Sequence, residues 1–386
     1  MAFQSAQKLK EHYPWTSSPL IVSAPMRLLA GPALTHAVSS AGGLGFLGAG
    51  IPGRDFNGPK LVSLIEKTAA LFTEAWYVEK GVKDMPYYPF GVGFLLIDVD
   101  TEKLEMVREA LKSLPKPVAA IWLFPAADMN TLSSWHGMIY DAGTIANGKV
   151  PTKSWYQVGT VAQGTEVLMN CCVDTLVVQG ADAGGHGLAA SASIISLLPE
   201  MGDALSTIDD EHFRKQDSGS IPLIAAGGIS DGRSVAAATM LGASGVVLGT
   251  RFLATPECII TPGYQAAVLA AHDGGVSTVR TSVYDTLRGT PWPEKFNGRA
   301  IKNKSWHDAQ ETGGEVTEEL KKKFDEAMKM GDNAWGVEGR ATTYAGSGVG
   351  LVREVRPAGE VVREVREKAK RIIKEYAMNG LATEGN

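Results

Sequence analysis

Short apolar runs rich in β-branched residues recur along the chain at 20–26, 44–50, 90–96, 118–124, 155–159, 175–179, 221–228 and 245–252. Runs of this length without alternation are the pattern of strands buried on both faces. Helical periodicity fills the gaps at 32–41, 55–80, 101–113, 129–140, 161–171 and 231–241. Gly42-Gly43 is placed to stop the first helix, and Ser230 or Asp231 to cap the last. Eight strands alternating with helices predict a parallel (β/α)8 barrel, the TIM barrel, rather than an open doubly wound sheet.

On this reading residues 1–276 form the barrel, interrupted by an irregular stretch at 189–220 between the sixth and seventh strands. Residues 277–340 are richer in charged and polar side chains and predict a small helical appendage, with one amphipathic helix at 315–330. Residues 341–386 predict a glycine-rich turn at 344–350 and a charged helix at 357–376 returning to the barrel. The charges of that helix read as a solvated face rather than a binding patch.

Composition adds limits. Among 386 residues, 44% are hydrophobic and 20% charged, as in an ordinary globular protein, whereas 44 glycines point to many tight turns or ligand-facing loops. A net charge of −5 gives no reason to expect nucleic acid or an anionic membrane as partner. Cys171, Cys172 and Cys258 are odd in number and lack metal-ligand spacing, so neither a disulfide framework nor a metal site is expected. The chain shows no signal-peptide core and no run of 18 apolar residues, which predicts a cytoplasmic protein with no membrane partner. Oligomerisation is left open.

The strongest chemical signal is Gln179-Gly180-Ala181-Asp182-Ala183-Gly184-Gly185-His186-Gly187, just past the sixth strand, at the end of the barrel where such folds carry out chemistry. Glycines there let a flat ligand approach the backbone, and His186 is the one side chain in the loop that titrates near neutrality, as a general base must. A tight turn with a solvated histidine would read the same in isolation. A second signal comes from Ala226-Gly227-Gly228 and Leu248-Gly249-Thr250 at the exits of the seventh and eighth strands, where barrels place phosphate groups on backbone amides. No dinucleotide G-x-G-x-x-G follows the first strand, so a mononucleotide such as FMN fits better than a dinucleotide. Asp182 reads as a turn residue or as an orienter of the base. Trp122 and Phe124 read as pocket walls or core, Arg251 as a phosphate ligand or a structural pair, and His36, His136 and His212 as packing or surface residues.

Taken in order, Ala24-Pro25-Met26, Pro89-Phe90-Gly91-Val92-Gly93, the glycine-histidine loop, IPLIAAGGISDG, LGASGVVLGTRF and YAGSGVG resemble the nitronate monooxygenases, over roughly residues 15 to 375. The resemblance implies an FMN-containing barrel without metal that oxidises alkyl nitronates with O2 to carbonyl compounds and nitrite, and leaves open whether neutral nitroalkanes are used as well. It implies Ala24, Pro25, Met26 and Gly93 at the flavin ring and Gln179, Gly184 and Gly185 in contact with FMN. Gly227, Gly228, Val247, Leu248, Gly249 and Thr250 would lie at its phosphate, and His186 would be the catalytic base. Two positions depart from the pattern: Gly93 stands where many relatives carry Asn, and Ser347 where many carry Gln. The competing readings are an NAD(P)H-dependent reductase of the same barrel type (enoyl-carrier-protein or quinone reductase), a non-catalytic FMN-binding protein, and a flavin-free phosphate-binding isomerase.

Overall fold

A computed structural model describes residues 2–124, 128–143, 151–208, 221–290 and 292–382. Eight parallel strands build the barrel: β1 (Leu20–Ser23), β2 (Phe46–Gly50), β3 (Tyr88–Leu95), β4 (Val118–Phe124), β5 (Lys153–Val158), β6 (Thr175–Gln179), β8 (Leu223–Ala226) and β9 (Gly245–Leu248). They pair in the order β1-β9-β8-β6-β5-β4-β3-β2. The ring is closed by a parallel bridge from Val22 to Leu44, with Leu44 donating to the Ile21 carbonyl at 3.0 Å. The TIM barrel expected from the alternation is therefore the observed fold.

Strands β1, β8 and β9 are shorter than their apolar runs because Pro25, Gly227-Gly228 and Gly249 at their exits leave the ladder. The interior is aromatic. Phe46 meets Trp122 edge-on at 5.2 Å and Trp155 at 5.1 Å, while the two indoles lie 5.8 Å apart. Gly91 makes this possible, since a Cβ there would sit 2.2 Å from the Phe46 ring. Below them the buried Tyr13 hydroxyl accepts the Trp155 indole N–H at 2.7 Å. Truncating one such ring to Ala costs roughly 3–5 kcal/mol in a close-packed core.

Three local readings change. The helix expected over 55–80 is two helices, Gly58–Ala69 and Glu74–Glu79. Asn57 caps the first and Thr73 the second, and between them Phe72 turns inward against His36, Trp76 and Phe90. The stretch expected to be irregular at 189–220 contains helix Ile194–Thr207, and residues 209–220 lie outside the described residues. The segment 277–340 contains strands β10 (Thr278–Thr281) and β11 (Phe296–Ile301) as well as helices, among them Val283–Leu287 and Glu318–Met328.

Asp231 does cap helix Gly232–Met240, through a reciprocal capping box with Ser234. Against that helix packs the C-terminal helix Ala358–Ala382. Its charged pattern hides one buried arginine. Arg366 donates to the Pro19, Ala41 and Gly42 carbonyls and locks the helix under the start of β1.

Candidate active site

The glycine-histidine loop is not a free loop. After Gly184 the chain enters strand β7 (Gly185–Leu188), which pairs antiparallel with β11, and β11 with β10, in a small sheet over the barrel mouth. His186 stands opposite Gly298. A Cβ at 298 would lie 2.8 Å from the Tyr344 ring and 3.3 Å from His186 Nε2, so the glycine leaves room for both side chains.

Two half-buried arginines fasten the loop from behind. Arg299 donates twice to the Ala181 carbonyl, at 3.2 and 3.1 Å, while Arg280 bonds Asn297 and reaches the Leu188 carbonyl. Burial, with the charge of Arg299 nearby, brings Arg280 down to about 10. Gln179, at the end of β6, donates to the His186 carbonyl at 3.1 Å.

Around the imidazole the contacts are close. His186 Nε2 lies 2.7 Å from Asp285 Oδ1, and the Tyr344 hydroxyl donates to the same oxygen at 3.0 Å. Trp292 stacks on the ring at 3.6 Å with planes 6° apart. Burial pushes the His186 pKa below its ordinary value; the Asp285 hydrogen bond and charge oppose this, and Arg288 and Arg280 reinforce it. The balance favours the neutral ring.

The remaining glycine motifs converge on the same cavity, which has a volume of about 490 Å³. Gly227 and Gly228 hold φ of 106° and 74°, the left-handed region that glycine enters without strain. The late turn closes the cradle: Gly346 N donates to Thr250 Oγ1 at 2.9 Å, and Ser347 donates through both its amide and its hydroxyl to Asp182. Gly184 and Gly346 pack backbone to backbone, because a Cβ on Gly184 would sit 2.4 Å from the Gly346 nitrogen.

All the sequence-predicted site residues line the cavity except Leu248. Leu248 is fully buried in β9, and its carbonyl accepts from Ala24 N at 3.0 Å. A strand's side chains alternate, so Val247 faces the cavity and Leu248 the surrounding helices. At Gly93 a Cβ would lie 2.3 Å from Pro25 Cβ, so the absence of a side chain there lets Pro25 pack against β3.

The donor set suits a flavin. Gly227, Gly228, Gly249 and Thr250 present a wall free of bulky side chains, fit for a phosphate, and Pro25, Met26, Leu95 and Trp122 offer apolar surface to a flat ring.

A nitronate monooxygenase family model matches residues 139–368. A nitronate monooxygenase of Metarhizium robertsii is 43% identical over 371 residues, covering 95% of both chains. The chain belongs to the nitronate monooxygenase family. It is an enzyme of that flavin-dependent oxidoreductase family, whose members act on small molecules with O2. Among solved structures, a nitroalkane oxidase of Streptomyces ansochromogenes has TM-score 0.65 at 21% identity, covering 94% of this chain and 98% of that one. FabK of Thermotoga maritima has TM-score 0.67 at 20% identity, covering 96% and 98%. Both share the barrel. Among the described residues no helix is long and apolar enough to cross a membrane.

In this family member the residues that complete the site lie far along the chain. Asp285, Arg288, Trp292 and Tyr344 all reach His186 or its partners, and sequence reasoning singled out none of them for a role. Only Tyr344 stood in a motif, at the head of YAGSGVG, and nothing in the sequence tied it to His186. Of the other candidates, Trp122 lines the cavity and donates to Gln157 at 3.1 Å, and Phe124 lines it too. Arg251 is buried and bonds the Ala254 and Glu354 carbonyls, a structural role. His36 packs on Phe72, His136 bonds Tyr156 at 2.6 Å, and His212 lies outside the described residues.

Proposed function

We propose that this chain binds one FMN and oxidises alkyl nitronates, and the neutral nitroalkanes that give rise to them, with O2 to carbonyl compounds and nitrite. The observation that carries this reading is His186, bonded to Asp285 and walled by Trp292, on the same cavity as three glycine-lined loops. Bound FMN would take electrons from the substrate and pass them to oxygen.

The protein's part is positioning and proton handling. Ala24, Pro25, Met26 and Gly93 would lie against the ring, and Gln179, Gly184 and Gly185 along its edge. Gly227, Gly228, Val247, Gly249 and Thr250 would receive the phosphate monoester, whose single anionic group matches a cradle built from two strand exits. His186 would remove the α-proton of a neutral nitroalkane. For a substrate that arrives as the nitronate it would position the anion, with the exposed Arg288 adding positive charge at the cavity wall. A cytoplasmic location accords with three cysteines that form no disulfide.

The test is direct. Flavin released from purified protein should be FMN, and an alkyl nitronate should drive oxygen uptake with nitrite release. Recovery of FAD, or no oxygen uptake with any nitronate, would overturn the proposal.

A further inference from the structure

We infer that Asp285 is a positioning residue that fixes the tautomer of His186, so that the substrate proton is received on Nδ1 and not on Nε2. This rests on the reading of His186 as the acceptor of a nitroalkane proton.

The hydrogen bonds set the direction. Asp285 Oδ1 lies within bonding distance of both His186 Nε2 and the Tyr344 hydroxyl. Burial pushes the Tyr344 pKa well up, so its hydroxyl stays protonated and donates. Oδ1, already taking the Tyr344 proton as an acceptor, accepts again, which leaves Nε2 as the second donor. A neutral imidazole protonated at Nε2 carries its lone pair on Nδ1, and no described side chain or backbone group bonds that atom.

The ring cannot readily exchange its two nitrogens. Trp292 lies flat on one face, and the Nε2 edge is set against the space left by Gly298. Asp285 is 7% exposed and its Oδ2 is buried with no hydrogen-bond partner among the described residues. A carboxylate kept half-satisfied in such a place is costly unless its charge is used. The charged groups facing the ring are Asp285, Arg288 and Arg280, so Asp285 alone can balance an imidazolium.

The step balances as follows. The substrate Cα–H bond breaks, its electron pair becomes the C=N bond of the nitronate, and the nitro N=O pair moves onto oxygen. The proton arrives on Nδ1. Nε2–H then donates to the Asp285 carboxylate as a charge-assisted bond, and the proton returns to water after product leaves.

The tautomer can be read without turnover. In protein labelled with 15N-histidine, with His186→Asn used to assign the signals, the neutral ring should show a protonated Nε2 and an unprotonated Nδ1. Asp285→Asn and Asp285→Ala should lower kcat on a neutral nitroalkane on the order of 10- to 100-fold. They should also move the acid limb of the pH profile to lower pH, because the carboxylate that favours the imidazolium is gone. A wild-type ring protonated on Nδ1, or an acid limb unmoved in both variants, would overturn the inference. If the wild type turns over no neutral nitroalkane, the base assignment fails, while the 15N spectrum still decides the tautomer.

Discussion

The imidazole of His186 and the indole of Trp292 are stacked 3.6 Å apart and within 6° of parallel, although 106 residues separate them in sequence. Trp292 leads into β11, and β11 pairs with β7, so the small sheet over the barrel mouth brings the two rings together. The indole shields one face of the base from water and holds its plane. Trp292→Ala should lower kcat/KM on a neutral nitroalkane by about tenfold or more, the scale of a misaligned reacting group, and Trp292→Phe should retain most of it. Steady-state kinetics on both variants would show this. Wild-type kinetics in Trp292→Ala would mean that Asp285 and Tyr344 hold the ring without help.

His186→Asn keeps a polar side chain on β7 but removes the titratable nitrogen. Turnover of neutral nitroalkanes should fall about 10²-fold or more, the usual range for a lost general base, and preformed nitronates should suffer less. Because the His186 pKa is depressed, the neutral, proton-accepting form persists below the ordinary histidine range near pH 6.5. For wild-type enzyme, kcat/KM on a nitroalkane should therefore stay level as pH falls through 6.5 and drop only at lower pH. Equal losses on both substrate forms in His186→Asn would remove the proton-acceptor role.

The barrel was legible because a parallel strand buried on both faces leaves an uninterrupted apolar run, and eight such runs are present. The glycine motifs were legible for a related reason: Gly227, Gly228 and Gly184 are required by the backbone itself, through positive φ or through contact with another backbone. What sequence could not supply was the partner set of His186. Asp285 lies in Ser282-Val283-Tyr284-Asp285, a stretch without periodicity or motif, and reaches the histidine only because His186 pairs opposite Gly298. Antiparallel pairing across more than a hundred residues leaves no local pattern, and β7, rich in glycine, reads as a loop. The break between Ala69 and Glu74 was hidden for the opposite reason, since helical periodicity continues on both sides of Phe72 and Thr73.

Oxygen rather than a nicotinamide should be the partner of the flavin. In a nitronate oxidation the nitronate supplies the electrons and oxygen takes them, so no external hydride donor is required. The first strand, Leu20–Ser23, leads into Ala24-Pro25-Met26 and not into a glycine-rich dinucleotide turn, and the proposed FMN would need only one phosphate site, at the exits of β8 and β9. The barrel itself does not decide the matter, since FabK of Thermotoga maritima shares it at 20% identity. Anaerobic stopped-flow mixing separates the two cases. An alkyl nitronate should bleach the oxidised flavin in a saturable, fast phase, and readmitted oxygen should restore it, whereas NADH and NADPH should act slowly and without saturation. Fast, saturable reduction by either nicotinamide together with no response to nitronates would make the chain a reductase, and the cavity wall at Arg288 and Trp292 would then have to receive a dinucleotide.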